Sequence, residues 1–171
     1  VRARVTLLRD LGAALAPDNA FGIIQGLETV ALRMKQHCSN AQKVVDYLTK
    51  HSEISRVIYP NQYKGEIANR AKKYLRGGNG ALVGIELKGG IEAGKKFIEA
   101  LKMFYHVANI GDAKSLAIHP ATTTHSQLNE EELLASGVTP GYVRLAIGIE
   151  HIDDIIEDLD QALQRTSDNI E

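Results

Sequence analysis

Arg144 sits where chemistry could happen. In "YVRLAIGIE", residues 142–150, the residues alternate. Val143, Leu145, Ile147 and Ile149 share one face, while Tyr142, Arg144, Ala146 and Gly148 share the other. Such alternation is the signature of a half-buried strand. An Arg between Ala and Gly on the second face leaves room for a ligand to approach. A guanidinium grips a carboxylate or phosphate through two parallel N–H bonds. A plain solvent-exposed strand Arg fits the same pattern, so both readings stand.

The segment "GDAKSLAIHPATTTH", 111–125, is the second candidate. It holds two His, four hydroxyl residues and one Pro, with neither helical period nor alternation. Long irregular segments in compact domains are uncommon and usually functional or disordered. The apolar Leu116, Ala117 and Ile118 argue against disorder. His119 and His125 are not at a metal-ligand spacing, and no acid or thiol cluster lies beside them. Loop histidines bonded to backbone groups are the expected state. "GGNGALVG", 77–84, resembles a phosphate loop in composition only. A dinucleotide fingerprint follows a strand and opens a helix, whereas these glycines follow a helix and open a strand. Cys38 lies on a helix's apolar stripe and reads as a buried structural thiol. His37 beside it is expected at a surface or interface. There is no nucleophile elbow and no paired carboxylates in a cleft context.

The elements that must position these residues follow from periodicity. A first helix over 2–15 is expected to end at Pro17, with Asp18 capping the next. Ile24, Leu27, Ala31, Met34, Cys38, Ala41, Val45 and Leu48 then form one stripe, predicting a single helix of roughly 45 Å. It is expected to link two domains and to bend near "CSNA". Strands follow at "SRVIYP", "ALVGIEL", "YHVAN" and "YVRLAIGIE". Helices follow at "GEIANRAKKYL", "IEAGKKFIEALKMF", "NEEELLASG" (Asn129 as N-cap, Gly137 past its end) and "IDDIIEDLDQAL". The predicted fold class is α+β, with helices packed on one face of a largely antiparallel sheet of about four strands. Residues 1–50 form the helical link and 51–171 the small domain.

Bulk properties narrow the function. The 171 residues carry 20 basic and 21 acidic side chains, a net charge of −1, which argues against a nucleic-acid footprint. No apolar run approaches membrane-spanning length. The single Cys excludes an intrachain disulfide and fits a cytoplasmic, reducing setting. The chain lacks an initiator Met and opens within a helical pattern, so it is expected to be part of a longer protein.

The motifs carry a family resemblance over nearly the whole chain. "GDAKSLAIHPATTTHSQL" with "VTPGYVRLAIGIEHIDDIIEDLDQAL" resembles the C-terminal part of the Cys/Met-metabolism pyridoxal-phosphate enzymes. "RDLGAALAPDNAFGIIQGLETVALRMKQHCSNA" is similar to the segment joining their large and small domains. "NIGDAKSLAIHPATTTHSQL" is most similar to the O-acetylhomoserine sulfhydrylase branch. Cystathionine γ-synthases, cystathionine lyases and methionine γ-lyases tend to carry Ser where this chain has Asn109.

The resemblance implies the small C-terminal domain of a fold-type I enzyme, homotetrameric and cytoplasmic. It implies pyridoxal 5'-phosphate as cofactor, and O-acetylhomoserine and sulfide as substrates of a γ-replacement giving homocysteine. It implies that Arg144 binds the substrate α-carboxylate and that Asn109 lies beside it. Thr124 would support the Arg, and Ser115 and Leu116 would lie at the pocket edge. The Schiff-base lysine and the phosphate-binding groups belong to a family segment expected upstream of residue 1, so the fragment alone is expected to be inactive. A stand-alone carboxylate-binding or assembly module is the non-enzymatic alternative.

Overall fold

In the computed structural model, which describes residues 1–167, the chain divides into two compact units. The first is Val1–Leu32 and the second begins at Arg33.

The first unit opens with a π-helix, Ala3–Leu11, that stops at Gly12 with φ +72°. The Gly12 N–H donates to the Leu8 carbonyl at 3.0 Å. The predicted helix over 2–15 therefore ends early, because a left-handed glycine closes it ahead of Pro17. Helix α1, Pro17–Glu28, starts with proline in its first turn and Ala16 as N-cap. Asp18 is thus not the cap. It lies inside the first turn, where the helix dipole favours its charge, and proline there gives up no needed N–H. Neither helix buries a residue, and Leu7, Leu8, Leu11, Phe21, Ile23, Ile24 and Leu27 are all exposed.

Helix α2 spans Val30–Leu48. The single long helix of the sequence pattern is interrupted at Thr29, with φ −107° and ψ 4°, and the helix runs unbroken through "CSNA". From His37 onward α2 belongs to a core. Ala41, Val44, Val45 and Leu48 are fully buried.

The second unit is built on a four-stranded sheet. Strands β1 (Ile54–Ile58), β2 (Leu82–Leu87), β3 (Leu116–Ile118) and β4 (Tyr142–Ala146) lie in the order β1-β2-β4-β3. Every pairing is antiparallel. Val83, Ile85, Val143 and Leu145 turn to the core face and are fully buried, as alternation predicts. They meet Phe97 of α4 (Gly90–Ala100) and Ile155, Leu159 and Leu163 of α6 (Ile152–Ser167). Full burial of each such side chain stabilises by about 1.5–3 kcal/mol. Helix α3, Gly65–Tyr74, contributes no buried residue. Helix α5, Glu130–Ala135, carries a complete capping box between Asn129 and Glu132, and Gly137 past its end takes φ +81°.

Three expectations are corrected here. "YHVAN" makes only an isolated parallel bridge, Tyr105 to Leu116. The remaining strand is β3, within the segment read as irregular. All three of its residues are buried, so no alternation marks it, as for strands covered on both faces. Helix α4 stops before "LKMF". The Asp158 carboxylate of α6 accepts N–H bonds from Lys102 at 2.9 Å, Met103 at 2.9 Å and Phe104 at 3.2 Å, drawing the backbone out of the helix. His37 is not a surface residue but 1% exposed. Its Nδ1 donates to the Ile147 carbonyl at 2.7 Å.

Candidate functional site: the Arg144 cleft

Strand β4 places Arg144 opposite Gly84 of β2 and Ile118 of β3. It lies on the face turned away from the core, half-buried. Glycine at 84 is required by space. A Cβ there would stand 2.8 Å from the Tyr142 ring and 3.1 Å from the Ile58 Cβ. Gly84 thereby lets the Tyr142 ring lie across β2, beside Arg144. Burial pushes the Tyr142 hydroxyl pKa up, against the opposing pull of the Arg144 charge.

Two recesses share Ile58, Tyr142 and Arg144. One, of about 520 Å³, is completed by Ala108, Ile118, Pro120, Thr124, His125 and the 136–138 turn. The other, of about 510 Å³, runs beside α3.

The structure brings Arg144, Asn109 and Thr124 together. Arg144 Nη2 donates to the Asn109 carbonyl at 3.5 Å. The exposed Asn109 side chain accepts from the Ile110 N–H at 2.8 Å. Thr124 lines the first recess with Arg144, and its Oγ1 pairs with His125 Nδ1 at 2.8 Å. Ser115 and Leu116 do not join them. Ser115 is fully buried. Its Oγ donates to Glu150 at 3.0 Å and accepts the Gly148 N–H at 2.9 Å. Leu116 is 3% exposed, in the first position of β3.

These contacts show what holds the loop. The Glu150 carboxylate accepts both the Ser115 N–H, at 2.6 Å, and the Ser115 hydroxyl. Gly148 makes the knot possible, since a Cβ would lie 2.6 Å from the Ala113 carbonyl oxygen. Asn40 Nδ2 ties α2 to the same turn, donating to Gly148 O at 3.1 Å and Glu150 O at 2.9 Å.

His119 is the other anchor, 1% exposed. Its Nε2 lies 2.8 Å from the Pro140 carbonyl, which can only accept, so Nε2 carries the proton. Nδ1 then accepts from the Thr122 hydroxyl at 2.9 Å. Burial holds the imidazole pKa down. The ring packs where Gly94 of α4 has no side chain; a Cβ there would stand 2.5 Å from Nε2. His119 is thus backbone-bonded, as expected, whereas the His125 ring pairs with the Thr124 hydroxyl instead.

Sequence reasoning missed Asn40, Glu150 and Asp158. A signal existed for two of them. Asn40 and Asp158 are polar residues in phase with buried helix faces, Ala41–Val44–Leu48 and Ile155–Leu159–Ala162. Such a residue must find partners.

The glycine turn behaves as predicted. Gly78 and Gly80 have positive φ and join α3 to β2. Half-buried Cys38 packs there, with its Sγ 2.6 Å from where a Gly78 Cβ would stand. Among the described residues no group of His, Cys, Asp and Glu could hold a metal ion. No described helix is long and apolar enough to cross a membrane.

The model of the Cys/Met metabolism PLP-dependent enzymes matches residues 2–164. The chain belongs to that family. An O-acetyl-L-homoserine sulfhydrylase of Leptospira meyeri is 55% identical over 96% of this chain and 37% of its own length. An L-methionine gamma-lyase of Fusobacterium nucleatum subsp. polymorphum is 45% identical over 92% of this chain and 40% of its own. A crystal structure described as an O-acetylhomoserine (thiol)-lyase from Campylobacter jejuni, which contains a pyridoxyl-lysine phosphate, superposes with a TM-score of 0.86. It is 46% identical and is matched over 95% of this chain and 39% of that one. The chain therefore spans well under half the length of these relatives.

The family depends on pyridoxal phosphate, but the residues of this cleft do not form a site for it. Neither recess is lined by a lysine, and the glycine turn precedes a strand rather than a helix.

Proposed function

We propose that this chain forms the substrate-carboxylate wall of a pyridoxal-phosphate-dependent γ-replacement enzyme. The reaction exchanges the acetate of O-acetylhomoserine for sulfide, giving homocysteine. The observation that supports this reading is the placement of Arg144. It lines a recess together with Thr124, and its guanidinium is tethered to a neutral backbone carbonyl. A guanidinium so placed has donors left for a carboxylate, and both N–H bonds of the fork fix the amino acid's orientation as well as its affinity. Thr124 and His125 would flank the carboxylate, and Tyr142 would limit the water that reaches it.

The cofactor's electron sink and its lysine would come from residues outside this chain. Residues 1–50 would then link this unit to a larger cofactor-binding domain in a cytoplasmic homotetramer. A second reading has support in the relative named L-methionine gamma-lyase: elimination of a thiol from methionine.

The test uses an intact enzyme that carries this chain. Arg144→Ala should lower kcat/KM for O-acetylhomoserine by roughly ten- to a hundredfold, the effect of losing a charge-assisted bond of about 1.5–3 kcal/mol. The cofactor's absorbance should be unchanged. A kcat/KM near that of the unaltered enzyme overturns the clamp. Thiol release from methionine without homocysteine formation from O-acetylhomoserine and sulfide decides for the second reading.

A further inference from the structure

The recess beside α3 shares Arg144 with the clamp described above but is not lined by Thr124 or His125. It lies between α3 and the Arg144 face of the sheet, with a volume of about 510 Å³. That size suits a small organic ligand. Tyr63, Ile67, Tyr74 and Leu82 give it apolar walls, and the Tyr142 ring lies over Gly84 beside them.

Two features say what would fill it. Helix α3 carries an apolar face at Ile67, Ala71 and Tyr74. Such a face ordinarily packs on a core, yet Ile67 is 51% and Tyr74 70% exposed. Among the described residues the helix buries no side chain at all. The second feature is charge. The lining includes Arg70 and Arg144 and no acidic residue. Arg70 is already paired with Glu66 at 2.5 Å. Arg144 has no carboxylate partner among the described residues, and its one long bond goes to a neutral carbonyl. An apolar groove with one cation in its lining that has no carboxylate partner is complementary to a monoanion with a nonpolar body. A dianion such as phosphate would leave charge uncompensated among apolar walls, which is costly.

We propose that this groove binds a small amphipathic carboxylate. Its aliphatic or aromatic body lies on Ile67, Tyr74 and Leu82, and its carboxylate pairs with Arg144 from the α3 side. The inference rests on the reading that Arg144 takes a carboxylate, and differs from it in the recess used. Because both recesses share Arg144, such an acid would compete with the amino-acid substrate for the same guanidinium.

The experiment titrates the chain with 4-phenylbutyrate and, separately, with 4-phenylbutan-1-ol, followed by amide proton–nitrogen spectra. Saturable binding of the acid is expected, with shifts at Ile67, Leu82 and Gly84. The alcohol should bind at least tenfold more weakly. Ile67→Glu, at an exposed position that folding does not need, should weaken the acid at least tenfold by placing a like charge in the groove. Arg144→Gln should erase the difference between acid and alcohol. If the acid shifts only Ala108, Thr124 and His125 and ignores Ile67→Glu, the clamp stands and the groove proposal fails. If acid and alcohol bind the groove equally, the pairing with Arg144 is overturned. No saturable binding at millimolar concentration overturns the proposal outright.

Discussion

Arg144 Nη2 reaches the carbonyl oxygen of Asn109 at 3.5 Å, joining β4 to the 105–115 loop across 35 residues of sequence. The bond uses the backbone of Asn109, not its side chain. The loop is thus held over the guanidinium whatever side chain residue 109 carries.

Asn109→Ala follows directly. The Arg144 bond should survive, and only the exposed amide bonded to the Ile110 N–H is lost. In an intact enzyme carrying this chain, turnover should fall while Tm moves little. A large drop in Tm with normal turnover would make residue 109 structural.

Ser115→Ala should act in the opposite way, chiefly on stability. The Gly148 N–H is buried and donates to the Ser115 hydroxyl. Leaving it without an acceptor costs about 1–3 kcal/mol. Denaturant unfolding of the chain measures this, and a loss below a few tenths would show that the knot does not hold the loop.

Gly94→Ala should destabilise, although alanine is the better helix former by about 1 kcal/mol. The added Cβ would stand 2.5 Å from His119 Nε2, a buried ring bonded on both nitrogens. Overpacking of this kind costs about 1–3 kcal/mol. A higher Tm in Gly94→Ala would show that the ring can shift freely.

His119 also makes stability depend on pH. Burial lowers its folded-state pKa below the ordinary 6.5. The unfolded chain then binds the proton more readily, so stability is full above about 6.5 and declines as pH falls below it. Tm followed from pH 7.5 to 5.5 should drop more steeply in the unaltered chain than in His119→Gln. Parallel curves would mean that His119 does not contribute.

What was legible in the sequence was what periodicity and motif encode. Alternation in "ALVGIEL" and "YVRLAIGIE" determined which side chains enter the core and put Arg144 on the opposite face. The helical stripes and the Asn129 N-cap were equally local. The family resemblance singled out Arg144, Asn109 and Thr124, which the fold does bring together. Strand β3 was not legible, because burial of Leu116, Ala117 and Ile118 on both faces removes the alternation that marks a strand. Nor was the end of α4, which Asp158 decides from 54 to 56 residues away. His37 and Glu150 were likewise settled only by tertiary structure, and for Asn40 and Asp158 the helical phase signalled burial but not the partner. Whether a polar side chain faces water or pins a distant turn depends on which backbone groups the fold leaves unpaired beside it, and no local pattern records that.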